Sequence, residues 1–390
     1  MNPESPAEEQ APTGWIVSKR VDLAMILVPF AVTLALLAFP RPEQVGLFAF
    51  LFLVVAFDVS HVWATVYISY LDRESFSRRK WLFLLPIPLT VLVSFRLYLY
   101  SPMLFWSLMA YVAIHHFAAQ QYGFIALYRL RGKERGDRYL DKWTLWVGAL
   151  VPVLLWHTRP QDPLGLLAAL GETPGTEQVF DWFGHGEKFL VPLHTFPPEL
   201  LAELRLDLWI LLGTFALLYS GRQLQHAWRG NFNWGKNLWM LGSWVSWNLG
   251  IALAAHPLVS LACINLFHGI PFLVLVWYRC HEAWRQRALK GEVASESAQQ
   301  PWVYRLAQRP ALWAFYGILL VLALAEEGLW EGLVWGNHLP RVELGTTSVA
   351  LAVAVLSTPQ IVHYYLDAWL WKLDGSNPDL HLALGVPLKS

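Results

Sequence analysis

Long apolar runs recur along almost the whole chain, separated by short charged or Pro- and Gly-containing stretches. A helix needs about 20 apolar residues to cross the roughly 30 Å hydrocarbon layer. On that scale ten windows read as transmembrane helices: 21–39, 45–71, 81–100, 102–128, 143–157, 207–221, 237–255, 258–280, 311–326 and 346–371. The expected fold class is therefore all-α, a polytopic integral membrane helix bundle. Residues 1–20 read as a disordered cytoplasmic tail. Residues 21–371 read as a single transmembrane domain, with an outer loop at 158–206 and an inner linker at 281–310. Residues 372–390 read as a second cytoplasmic tail. The first apolar run is too long for a signal-peptide core and lacks a small-residue cleavage site, so it reads as a retained helix. In the outer loop, "PPELLAELRLDLW" has the proline placement of a short interfacial helix.

Charge gives this bundle a direction. With the N-terminus inside, the outer segments hold five of the 29 Lys and Arg side chains, namely Arg41, Arg159, Lys188, Arg205 and Arg341. Arg96 and Arg279 lie within helices, and the rest fall in the inner segments. Cytoplasmic enrichment of Lys and Arg favours both termini inside, as in a bacterial inner membrane. Composition agrees: 55% of residues are hydrophobic and 15% charged, a balance rare in a soluble domain of this length. Zero formal net charge gives no reason to expect a nucleic-acid partner. Cys263 and Cys280 lie in or beside one apolar segment, which makes neither a disulfide framework nor a CxxC metal motif.

Four windows break the apolar pattern in the same way. The second contains "FDVSHVWATVY", with Asp58 and His61 one turn apart. The fourth contains "YVAIHHFAAQQYG", with His115, His116, Gln120 and Gln121. The eighth contains "INLFHGIPF", with Asn265 and His268. The tenth contains "STPQIVHYYLDAWLWK", where Gln360, His363 and Asp367 share one helical face. Ionisable groups inside a membrane are costly and mark function by default. All four windows run from outside to inside. Their histidines lie about 12–18 Å from the inner helix ends, at about 1.5 Å per residue. Four histidines at one depth point to a shared site.

Each of these histidines has a polar neighbour one turn away: Asp58, Gln120, Asn265, Gln360 or Asp367. Such groups orient metal-bound imidazoles or hydrogen-bond a substrate. His115 and His116 point about 100° apart on a 3.6-residue helix. His116 is the favoured ligand because Gln120 shares its face, and His115 is a possible fifth. Pro359, Pro271 and Gly269 would bend or open the helices beside His363 and His268. Tyr364, Tyr365 and Trp369 read as packing aromatics. His185, His194 and His338 read as solvated loop residues, and His226, His256, His281 and His381 as wet interfacial ones.

Imidazoles without thiolates suit iron, copper or zinc. The expected metal ligands are His61, His116, His268 and His363, with Fe(II) the favoured ion and zinc or copper the substitutes. Such a site would leave positions open for dioxygen and an apolar substrate entering from the bilayer. The HxxxH and HxxHH boxes of membrane desaturases and the HExxH of zinc proteases are absent. Two other classes remain open. A pair of histidines could clamp a haem for electron transfer. Alternatively, Asp58, His61, His363 and Asp367 could line a transport or proton path.

The histidine windows resemble those of the Brp/Blh-type bacterial β-carotene cleavage dioxygenases. The likeness rests on "HYYLD", where an acid follows the histidine by one turn. His116 to Gln120 keeps that spacing with an amide, and around His61 the acid precedes. The family's "PHG"-like first motif is missing, and "HHFAAQQYG" replaces its second. The resemblance implies a polytopic membrane protein with iron held by histidines from several helices. It covers short windows only and does not carry β-carotene over as substrate.

Overall fold

The computed structural model describes residues 14–38, 46–158, 197–253, 257–289, 302–308, 310–336, 339–373 and 377–385. These fold as helices with no strand among them. The helices are α1 (Lys19–Ala38), α2 (Leu47–Tyr67), α3 (Arg73–Tyr100), α4 (Pro102–Arg131), α5 (Arg138–His157) and α6 (Pro198–Trp228). They continue as α7 (Trp234–Trp247, with a π-helical extension Asn248–Ala252), α8 (Leu258–Leu289) and α9 (Trp302–Leu306). The last are α10 (Leu312–Trp335), α11 (Thr346–Leu370) and α12 (Pro378–Leu384).

Seven of these helices, α1 to α4, α8, α10 and α11, are long and apolar enough to cross a membrane, as in a multi-pass membrane protein. The windows 143–157, 207–221 and 237–255 are helical as α5, α6 and α7 but fall short of that measure. Seven candidate spans are therefore found where ten were expected. Helix α6 extends beyond its window to include Arg205 and Arg222, which with Asp207 lower its hydropathy.

Four boundaries differ from the sequence reading, each for a local reason. The window ending at 326 runs on to Trp335, so Glu326, Glu327 and Glu331 all lie within α10. "PPELLAELRLDLW" is the start of the 31-residue α6 rather than a separate interfacial helix; the rest of that loop, 159–196 with His185 and His194, lies outside the described residues, as do His256 and His338. The inner linker contributes α9, whose Val303 and Tyr304 are fully buried. Both ends of the described chain are docked. Asp22 accepts the backbone N–H groups of Ile16 (2.7 Å), Val17 (3.1 Å) and Ser18 (3.3 Å) ahead of α1. Arg131, at the end of α4, donates to Ile16 O (2.9 Å) and Leu384 O (3.1 Å). His381 on α12 is consequently buried rather than wet.

Two apolar cores flank the centre of the bundle. One packs Tyr67, Phe272, Tyr304, Phe315 and Leu366 from α2, α8, α9, α10 and α11. The other packs Met25, Phe124, Trp239, Phe267 and Leu380 from α1, α4, α7, α8 and α12. Helix α8 runs between both, and α2, α4 and α11 pack around it or one another. These four helices carry the membrane histidines.

Candidate metal centre

Helix α2 is π-helical over Leu51–Val59 and returns to α-helix at Ser60, so His61 follows directly on the transition. A π-helical turn leaves backbone carbonyls poorly paired, and such turns gather at functional sites. Here hydroxyls supply the missing bonds. Ser60 Oγ donates to Val55 O (3.0 Å), and Tyr316 of α10 donates to Ala56 O. Helix α8 repeats the device. It is π-helical over Ala262–Leu266, Ser246 of α7 donates to Cys263 O, and His268 follows two residues later.

The two distorted helices touch where Gly269 meets the Phe57 carbonyl. A Cβ on Gly269 would lie 2.5 Å from Phe57 O and 2.7 Å from its carbon. That contact requires glycine, since no backbone atom can step aside. Helix α11 is interrupted at Ser357, restarts at Thr358 with Pro359 in its first turn, and delivers His363 one turn later. Thr358 Oγ1 donates to Ala354 O (2.8 Å) across the break. Helix α4 is unbroken for 30 residues and delivers His116 from its middle.

The four imidazoles meet in the interior. His61 and His268 are fully buried, His363 is 1% exposed and His116 6%. One nitrogen from each lies within 4.8 Å of one from every other. His61 Nε2 stands 3.0 Å from His268 Nε2 and 3.1 Å from His363 Nε2. Aromatic rings fix their planes: Phe117 stacks on His268 at 3.8 Å, and Tyr364 on His116 at 4.2 Å. Phe272 contacts both His61 and His363 edge-on.

Polar groups surround the cluster. Thr65 Oγ1 lies 2.7 Å from His363 Nδ1. Asp58 Oδ1 lies 3.6 Å from His61 Nδ1. Asp367 stands between two imidazoles, 3.6 Å from His363 Nδ1 and 3.9 Å from His116 Nε2. Several of these buried atoms have no hydrogen-bond partner: His61 Nδ1, His116 Nε2, His268 Nδ1, Asp58 Oδ1 and both Asp367 oxygens. Buried polar atoms are nearly always paired, so a concentration of orphans calls for an explanation.

The structure therefore brings His61, His116, His268 and His363 together, with Asp58 and Asp367 beside them. His115 is excluded. It is exposed and packs against Trp146 of α5, because one residue of helix rotates it away from His116. A fifth ligand, or a second metal held through His115, does not fit. Of the two roles expected for the amides, orienting an imidazole or bonding a substrate, no hydrogen bond to an imidazole is formed by the three among the described residues. Asn265 and Gln360 face a cavity rather than an imidazole nitrogen, and Gln360 donates to the Tyr364 hydroxyl. The Gln120 amide nitrogen has no partner. Gln121 is structural, accepting from the Trp247 indole (2.7 Å).

That cavity, of about 270 Å³, adjoins the centre. Phe117 and Tyr364 line it on one side and stack on His268 and His116 on the other. Tyr364 is thus a wall of the cavity, whereas Tyr365 and Trp369 are 41% and 40% exposed on the outside of the bundle. Glu326 and Glu327 also face the cavity, together with Asp58. No family model, curated protein or solved structure matches the chain.

Proposed function

We propose that the chain is a membrane-embedded non-haem metal oxygenase, or a related redox enzyme, that acts on an apolar substrate. Its ligands are His61, His116, His268 and His363, and iron is the favoured ion.

The observation that carries this reading is the position of His61 Nε2, within 3.1 Å of two other imidazole nitrogens. A ring nitrogen holds either one proton or one in-plane lone pair, so hydrogen bonding satisfies one of these contacts and not both. A shared cation satisfies both. With metal–nitrogen bonds of about 2.0–2.1 Å, neighbouring nitrogens stand about 2.9 Å apart at right angles and about 3.3 Å apart in a tetrahedron. The observed 3.0 and 3.1 Å lie in that interval. With Nε2 turned inward, His363 Nδ1–H donates to Thr65 Oγ1 and His61 Nδ1–H faces Asp58, the outer partners that metal-bound imidazoles usually have.

A four-histidine set without thiolates suits iron, zinc or copper, and iron bound there would supply the one-electron chemistry that dioxygen requires. The remaining chemistry belongs to the protein. Phe117, Phe272 and Tyr364 exclude bulk water from the centre. The adjoining cavity presents an apolar substrate beside it, and Asp58 reaches from the cavity lining to His61.

A haem fits less well. Axial histidines on haem iron stand about 4 Å apart, twice a metal–nitrogen bond of about 2 Å. They also need an open slot for the macrocycle between them. Here four packed side chains occupy that space. Fe(II)-loaded protein in nanodiscs, supplied with a membrane lipid extract, is expected to consume dioxygen and to show no Soret band. A Soret band in the purified protein, or dioxygen uptake unchanged in His61→Ala, would overturn the proposal.

A further inference from the structure

The cavity beside the histidine centre is built for more than a hydrocarbon. We infer that its substrate is an amphiphile with a cationic amine head, held in the cavity by Glu326 and Glu327. The inference rests on the reading of the cluster as a metal centre and names the class of molecule that centre would oxidise.

The lining is acidic without a counter-ion. Asp58, Glu326 and Glu327 face the cavity, and no Lys or Arg is among the described residues that line it. Glu326 is buried, accepting from the Trp63 indole at 2.7 Å through one oxygen and from Trp330 at 3.4 Å through the other. An ionised carboxylate beside apolar walls is costly unless a cation joins it.

Three indoles supply the second half of a cation site. Trp106, Trp330 and Trp335 all line the cavity, with ring centroids 5.4 to 5.9 Å apart. Trp faces attract ammonium groups, more strongly where water is excluded. Independently of the acids, Asn265 points to a ligand. It is 8% exposed and faces the cavity, and its side chain makes no hydrogen bond among the described residues. A pure hydrocarbon would leave the Asn265 side chain and the Glu327 carboxyl, neither of which has a side-chain partner among the described residues, without one in the cavity. A carboxylate or phosphate head would add repulsion. An amine is a donor for Glu326 or Glu327, and the Asn265 carbonyl is a further acceptor in the same cavity.

The test is equilibrium binding of radiolabelled hexadecylamine, 1-hexadecanol and hexadecanoate to iron-loaded protein in phosphatidylcholine nanodiscs, with empty nanodiscs correcting for partition. The amine is expected to bind saturably, one per chain, on the order of tenfold more tightly than the alcohol or the carboxylate. Glu327→Gln should erase most of that preference, and Asn265→Leu part of it, with helix content and iron content unchanged. Glu326→Gln is the second acidic variant, since Glu326 also anchors Trp63. Alcohol or carboxylate binding as tight as the amine would overturn the inference. So would an amine preference that survives both glutamate variants. Iron content of the same samples separates the two claims. Wild type without iron contradicts the metal reading, while the ranking of the three probes still reports on the head group.

Discussion

Helices α2 and α8 deliver their histidines by distortion, whereas α4 delivers His116 from a regular helix. In α2 and α8 a π-helical segment ends two residues before the histidine, and an outside hydroxyl, Tyr316 or Ser246, caps a carbonyl within it. The two meet at Gly269 with backbone against backbone. Along α4 nothing of this kind occurs, and Gly123 has open space where a Cβ would stand. The comparison teaches where precision is concentrated. The pair His61 and His268, whose nitrogens stand 3.0 Å apart, is held by backbone packing. His116 is held by the stacked Tyr364 ring and by Asp367 nearby.

The sharpest way to break this contrast is a methyl group. Gly269→Ala should destabilise the protein by about 1–3 kcal/mol, the usual range for overpacking, and should lower metal content, read by thermal unfolding and elemental analysis. Gly123→Ala should do neither, and should stabilise by up to about 1 kcal/mol through helix propensity. Equal effects at the two glycines would remove the distinction.

Next in size is Asp367→Asn, which keeps the shape and removes the charge beside His116 and His363. Metal affinity is expected to fall about 10–100-fold, the usual loss when an outer partner of a ligand changes. Titration with a chelator of known affinity measures it. Thr65→Val removes the oxygen 2.7 Å from His363 Nδ1 and should cost about tenfold in the same titration. An unchanged affinity in both variants would mean that the surrounding polar groups do not orient the imidazoles.

The smallest expected effect lies away from the centre. The Tyr304 hydroxyl stands 2.9 Å from both Asp72 and Asp379, with one proton to donate. Burial, then the neighbouring Asp379, raises the Asp72 pKa above its ordinary 3.8. A raised carboxyl stabilises the fold fully below that ordinary value, and the contribution is lost as pH rises through the folded-state pKa. Asp72→Asn keeps the cap on α3. The melting temperature of wild type should therefore fall relative to this variant between pH 4 and pH 8, and parallel profiles would contradict it.

Much of the centre was legible in the sequence because helical periodicity and depth are arithmetic. Asp58 with His61, and His363 with Asp367, could be placed on common faces, and Pro359 could be read as a break. Thr65 shares the His61 face one turn on, but a threonine in a membrane helix carries no distinctive signal. The π-helical segments have no local signature, and the close approach at Gly269 depends on a partner helix that the sequence does not identify. The apolar window ends at Glu326 and leaves out Glu327, because the acids in "LAEEGLWE" interrupt a run that stays hydrophobic to Trp335. The docked segments, 14–18 and helix Pro378–Leu384, read as tails in the sequence because their partners, Arg131 above all, are distant in the chain.

The central claim is that four histidines from four helices hold one metal. Metal per chain, measured by mass spectrometry on protein purified from membranes, tests it most directly in wild type, His61→Ala and His115→Ala. About one equivalent is expected in wild type, near zero in His61→Ala and an undiminished value in His115→Ala. Equal metal in wild type and His61→Ala, or loss of metal in His115→Ala alone, would contradict it.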